Sequence, residues 1–167
     1  SMDRMFYDAR NFDQPLTLDT ASVTSMERMF IGASSLNQSL VFSDTSGVTS
    51  MYKMFDAASR FNQPLTLDTA SVTTMEGMFN GASNFDQTLA LDTSRVVTMR
   101  RMFYQASRFD QPLALSDTSR VTSMNAMFSG ASSFNQPLAI NTTGVTSMVE
   151  MFDGAASFNR PLAFDTS

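Results

Sequence analysis

Residues 50–75 read SMYKMFDAASRFNQPLTLDTASVTTM, and this stretch decides the fold because it ends on the motif with which it begins. Met51-Tyr-Lys-Met54-Phe55 returns as Met75-Glu-Gly-Met78-Phe79 after 24 residues. Worked outward, the same M-x-x-M-F motif absorbs all 14 methionines of the chain, as Met2/Met5, Met26/Met29, Met51/Met54, Met75/Met78, Met99/Met102, Met124/Met127 and Met148/Met151. The copies are spaced 24, 25, 24, 24, 25 and 24 residues apart, and the two longer units gain Ser43 and Ser116 just before an aspartate, which marks a loop. A fixed period of this length means that no unit buries its own apolar face; each stacks on its neighbours to do so.

Within a unit, Leu16-Thr-Leu18 and its counterparts Leu40/Phe42, Leu65/Leu67, Leu89/Leu91, Leu113/Leu115, Leu138/Ile140 and Leu162/Phe164 alternate as short strands. Pro15, Pro64, Pro112, Pro137 and Pro161 precede them, where a missing N–H is tolerable. After an Asp-Thr turn, Ser25, Ser50, Thr74, Thr98, Ser123 and Ser147 stand just before Met as helix N-cap candidates. Met26, Met29, Phe30 and Ala33 then lie at i, i+3, i+4 and i+7, the stripe of an amphipathic helix of two to three turns. Phe12, Phe61, Phe85, Phe109, Phe134 and Phe158 (Leu36 in the second unit) fill a corner, and the following Asn/Asp-Gln pairs form a polar ladder that satisfies backbone groups in the turn. The expected architecture is an α/β repeat solenoid. It is a right-handed, leucine-rich-repeat-like stack with one short parallel strand and one short helix per 24–25-residue unit, about seven repeats over residues 1–167, forming part of a longer array.

Composition narrows the function. The 167 residues carry 16 acidic and 11 basic side chains, a net charge of −5, and neither His, Cys nor Trp. Thiolate and imidazole metal sites, disulfides and the commonest general base are therefore missing, and no site that breaks the repeat suggests an enzyme or a cofactor. The acidic balance without a Lys/Arg cluster argues against nucleic acid, and the short apolar runs argue against direct membrane insertion.

Taken together, Phe55-Asp-Ala-Ala-Ser-Arg-Phe-Asn-Gln-Pro-Leu65 and Asp68-Thr-Ala-Ser-Val-Thr-Thr-Met75 resemble the BspA-like leucine-rich-repeat surface proteins, in the branch whose unit of about 25 residues reads M-x-x-M-F-x-x-A-x-x-F-N-Q. The resemblance covers the whole chain. Where that family commonly carries Trp before the Asp-Thr step, this chain has Leu18, Phe42, Leu67, Leu91, Leu115, Ile140 and Phe164. The resemblance implies a cell-surface or secreted protein engaged in adhesion or protein binding, with a protein or glycan at a cell surface as partner.

Three stripes are candidate sites. The outward strand residues Thr17, Val41, Thr66, Ala90, Ala114, Ala139 and Ala163 line one continuous face, but lack the Trp, Tyr and Arg of typical hot spots. Asp19, Asp44, Asp68, Asp92, Asp117, Asn141 and Asp165, each followed by Thr (Thr20 through Thr166), read as Asx turns; calcium at Asp19, Asp68 and Asp92 is the alternative. Repeat-variable positions on the convex side bring Tyr52, Arg100, Arg101 and Tyr104, the best hot-spot types in the chain.

Weaker signals are Ser50-x-x-Lys53, which lacks the other motifs of serine acyl enzymes, and the sequons at Asn37 and Asn141; threonine rows as an ice-binding face are broken by alanine. Two functions stand side by side. One is a noncatalytic binding or adhesion module; the other is a structural spacer or self-associating rod that joins end to end, expected from a stretch that starts inside one helix at Met2 and ends inside a turn at Ser167. A methionine core also predicts that sulfoxide formation melts the stack cooperatively.

Overall fold

A computed structural model describes residues 1–115 and 117–165; Ser116, Thr166 and Ser167, and the side chains of Ala163, Phe164 and Asp165, lie outside the described residues. The chain winds through seven successive units that lie one on another. Backbone hydrogen bonds join adjacent units, each N–H donating to the carbonyl just before its counterpart, such as Phe30 N–H to Met54 O at 2.8 Å and Phe55 N–H to Met78 O at 2.8 Å.

Six strands of three residues occur among the described residues. They are β1 (Leu16–Leu18), β2 (Leu40–Phe42), β3 (Leu89–Leu91), β4 (Leu113–Leu115), β5 (Ala139–Asn141) and β6 (Ala163–Asp165). All pair in parallel, and only in twos: Thr17 faces Val41, Ala90 faces Ala114, and Ala139 faces Ala163. Leu65–Leu67 forms no strand, so the expected seven-rung sheet is three small sheets. A second ladder runs without that break: single parallel bridges join Ser25, Ser50, Thr74, Thr98, Ser123 and Ser147 in turn. These Ser/Thr residues therefore do not cap helices; they are rungs.

The main correction concerns the helix. Among the described residues there is none, and the α/β solenoid with a helix per unit is not what the chain forms. In the segment expected to be helical, Met29, Ile31 and Ala33 donate to carbonyls three residues back, at 3.4, 3.3 and 3.1 Å. The alternate N–H groups of Met26, Arg28, Phe30 and Gly32 leave the unit for Ser50, Tyr52, Met54 and Asp56 at 2.8–3.1 Å. An α-helix would use every interior N–H for its own i−4 carbonyl and leave none for the neighbour.

Two residues in left-handed conformation permit the alternation, Arg28 at φ 58° and Gly32 at φ 68°. The same two positions are left-handed in all seven units, from Arg4 and Asp8 to Glu150 and Gly154. Tight turns linked this way still direct Met26, Met29, Phe30 and Ala33 inward, all fully buried. The apolar spacing of a helix is thus met by another backbone that also hydrogen-bonds its neighbours.

The core is two columns of phenylalanine flanked by methionine. Phe6, Phe30, Phe55, Phe79, Phe103, Phe128 and Phe152 stack nearly parallel with centroids 5.2–5.7 Å apart. A second column, Phe61 to Phe158, stacks at 5.8–6.1 Å and touches the first inside each unit, as at Phe103 and Phe109, 4.0 Å apart. Buried polar side-chain atoms are all hydrogen-bonded among the described residues.

Candidate functional site

Three polar registers hold the stack and so are unavailable for chemistry. Among the described residues the threonine after each Asp or Asn of this register is buried: the Thr45 hydroxyl donates to Asp68 O at 2.9 Å and accepts from Asp68 N–H at 2.7 Å, and Thr69 donates to Asp92 O at 2.9 Å. Sequence reading placed these threonines beside the aspartates without seeing that they face inward; their identical placement before every small turn residue was the available signal.

The aspartates close Asx turns, Asp19, Asp68 and Asp92 each accepting the N–H two residues on at 3.2, 3.0 and 2.9 Å. The Ser46 N–H and hydroxyl hold the Asp44 carboxyl below its ordinary value, and Ser119 does the same for Asp117 against the small opposing charge of Asp92. No three His, Cys, Asp or Glu among the described residues gather as a metal-holding group.

The Asn/Asp ladder is continuous. Side-chain oxygens of Asp13, Asn37, Asn62, Asp86, Asp110 and Asn135 each accept the N–H of the next unit's counterpart at 2.8–3.0 Å. Gln63, Gln87, Gln111 and Gln136 reinforce it, and Arg160 takes the glutamine's place in the last unit. Asn37 and Asn141, the two sequon asparagines, are therefore both engaged, Asn141 with the Thr143 N–H at 2.9 Å. Ser50 and Lys53 also have separate partners: the Ser50 hydroxyl donates to Glu27 at 2.8 Å, and Lys53 pairs with Asp56 at 3.2 Å.

What remains outward is the strand strip and the convex side. Thr17, Val41, Thr66, Ala90, Ala114 and Ala139 are exposed, while the Ala163 side chain lies outside the described residues. Between β3 and β4, Ala90, Leu91, Asp92, Ala114 and Leu115 line a shallow depression of about 350 Å³, flat and with little to orient a ligand.

The four convex candidates fall into two places. Arg100 and Arg101 are exposed, and the Arg101 guanidinium lies 5.4 Å from the centre of the half-buried Tyr104 ring. Tyr52 lies two units away, between Arg28 at 5.1 Å and Lys53 at 5.7 Å.

That second place opens onto a groove of about 500 Å³ lined by Arg4, Tyr7, Arg28, Ile31, Lys53 and Asp56. Arg4, Arg28 and Lys53 occupy one register, the first left-handed position of three successive units. The carboxylates nearest in sequence are occupied elsewhere. Asp3 accepts the Ser25 hydroxyl at 2.5 Å and the Glu27 N–H at 2.9 Å; burial opposes its ionisation, but these bonds, led by Ser25, hold its carboxyl below the ordinary value. Glu27 accepts from Ser50. Arg4 and Arg28 have no ion pair among the described residues; Arg4 instead stands 6.0 Å from the Tyr7 ring centre. Sequence reading singled out Tyr52 but missed this column, although its period of 24 and 25 residues was legible.

The family model described as "Mycoplasma protein of unknown function, DUF285" matches residues 1–91 and 66–165. The chain belongs to this family. The two matched segments overlap and together reach from the first unit to the last, as expected of a DUF285 chain built from one repeated unit. No curated protein and no solved structure matches it.

Proposed function

We propose that the chain is a noncatalytic binding or adhesion module of a cell-surface or secreted protein, engaging a protein or glycan through an extended face of the stack. The observation that carries this reading is the division of labour among its polar groups. Asp, Asn, Gln and buried Thr are consumed in turns and ladders, whereas the cations Arg4, Arg28, Arg100 and Arg101 and the tyrosine rings stand on the outward side of the stack. Aromatic and arginine side chains are the residue types that anchor interfaces. DUF285 membership and the resemblance to repeat surface proteins support the placement at a cell surface.

The test is binding of labelled protein to intact cells and to extracellular matrix. Saturable binding that competes with unlabelled protein supports the module; signal that rises linearly with concentration overturns it.

The second reading, a spacer or self-associating rod, is favoured by apolar side chains left exposed along the stack, Val41 at 52%, Val97 at 41% and Val149 at 61%. Sedimentation across a concentration series, with calcium and then with EDTA, decides it: growing polymers support the rod, and one unchanging species rejects it.

A further inference from the structure

The groove at Arg4, Arg28 and Lys53 names a ligand class, resting on the reading of the chain as a binding module. We propose that it binds an acidic glycan, a sugar chain carrying a carboxylate or sulfate on successive residues.

Three observations converge. The first is charge. Although the chain is net −5, this groove gathers three cations, of which Asp56 neutralises only Lys53. Two guanidiniums remain, each a planar fork suited to a carboxylate or sulfate oxygen pair. Arg28 is half-buried, so its field is screened less than that of a fully solvated side chain.

The second is spacing. The phenylalanines behind the groove stack at 5.2 and 5.3 Å, so successive cations advance by one unit of about that height. A pyranose ring in a linear glycan has a similar length, so anionic groups on two neighbouring sugars are brought to Arg4 and Arg28 by rotation about the one linkage between them. In an extended peptide, carboxylates on one face recur every two residues, about 6.6 Å apart, a longer step than the one unit that separates Arg4 from Arg28.

The third is the walls. Tyr7 and Ile31 line the groove with Arg4 and Arg28, while the Tyr52 ring, outside the lining, holds Arg28 and Lys53 in place at 5.1 and 5.7 Å. Aromatic faces of this kind stack on the C–H face of a sugar while the guanidinium reaches its charge.

The left-handed register makes clean variants possible. Glycine already stands there in the fourth unit, Gly77 at φ 63°, and glutamate in the seventh, Glu150 at φ 58°. Arg4→Gly, Arg28→Gly and Arg28→Glu therefore keep the backbone.

The experiment is calorimetric titration of the full chain with a tetramer of galacturonic acid and, separately, a heparin-derived tetrasaccharide, which distinguishes carboxylate from sulfate. Maltotetraose serves as the neutral control and pentaglutamate as the acidic peptide. The expected result is binding of at least one acidic tetrasaccharide, weakened about 10-fold or more by Arg28→Gly and abolished by Arg28→Glu. Arg120→Ser, an exposed position outside the groove where Ser71 already stands in another unit, leaves it unchanged. Affinity falls as salt is raised from about 0.01 M to about 1 M, where the Debye length shrinks from about 30 Å to about 3 Å.

Equal binding of maltotetraose, tighter binding of pentaglutamate, or no binding of either acidic sugar overturns the proposal. Cell binding by the Arg4→Gly/Arg28→Gly double variant separates the two readings. If it persists at the wild-type level, the glycan groove falls and the binding module stands; if wild type binds neither cells nor glycans, both fall.

Discussion

Ala57 shows how much one residue can decide. It sits where a helix interior was expected, yet its φ is 57°. In a helix, Ala57→Gly would cost about 1 kcal/mol. In the left-handed position the Cβ itself is the penalty, about 1–2 kcal/mol, and removing it outweighs the extra entropy of glycine. The variant should be as stable as the wild type or more so, by up to about 1 kcal/mol in urea unfolding; a clear loss would restore the helix.

Thr45 is decisive in the opposite sense. Valine keeps its shape but leaves the Asp68 N–H and C=O without their bonds, so Thr45→Val should cost about 2–3 kcal/mol. The exposed Thr49, whose hydroxyl donates to Thr24 O at 3.0 Å, should lose under about 1 kcal/mol on the same change, measured in the same titration.

The Asx carboxylates set an acid limb. Asp44 and Asp117 are held below their ordinary 3.8 by the Ser46 and Ser119 donors. A group depressed in the folded state contributes stability that is full above its unfolded value and is lost as pH falls through the folded one. The loss therefore begins near pH 3.8 and continues below it. Asn141 closes the same turn without a charge, its Oδ1 accepting from the Thr143 N–H at 2.9 Å. The Asp44→Asn/Asp117→Asn variant should accordingly fold alike at neutral pH and lose less stability on acidification, followed by urea midpoints down the pH series.

At the scale of the elements, the phenylalanine columns were legible and the backbone that carries them was not. The alternation at Leu16–Leu18, the position of Ala33 and the Asn62-Gln63 ladder could be read because each rests on side-chain periodicity or turn chemistry. The turn segment could not, because Met26, Met29, Phe30 and Ala33 satisfy a helix and a run of alternating turns equally well. Gly32, Gly81, Gly130 and Gly154 carried the missing signal: a glycine fixed at one register inside an expected helix marks φ above zero rather than close packing alone. The groove was obscured for a related reason, since Arg28 and Lys53 read as a solvated helix face until their shared register aligned them.

The break in the second column provides a test of the packing. Leu36 is fully buried where the neighbouring units place Phe12 and Phe61. The other units show that this corner holds a ring against the first column, as Phe79 holds Phe85 at 4.1 Å. Leu36→Phe should therefore complete the column and raise stability by about 0.5–1.5 kcal/mol in denaturant titration. Destabilisation would mean that the second unit has closed around leucine and that the ring overpacks it.

Across the whole molecule, burial is graded from the ends inward, and methionine reports it. Met26, Met29, Met51, Met54, Met75, Met78, Met99, Met102 and Met124 are fully buried and Met127 nearly so, whereas Met5 is 54% exposed and Met2 and Met148 are half-buried. Each unit contacts only its neighbours, so opening is cheapest at the outermost units and costs most in the middle. Oxidation converts the flexible apolar thioether into a polar sulfoxide, which the central columns cannot hold beside stacked phenylalanine. Peroxide should therefore modify Met5 first, then Met2 and Met148, with far-UV circular dichroism unchanged. The ten central methionines should react only at urea concentrations that open the stack, after which it should fail to re-form. Peptide mass spectrometry across a urea series reads both stages. Modification of Met75 or Met78 in native buffer as fast as Met5 would mean that the middle units open independently, and the sealed methionine–phenylalanine core would have to be abandoned.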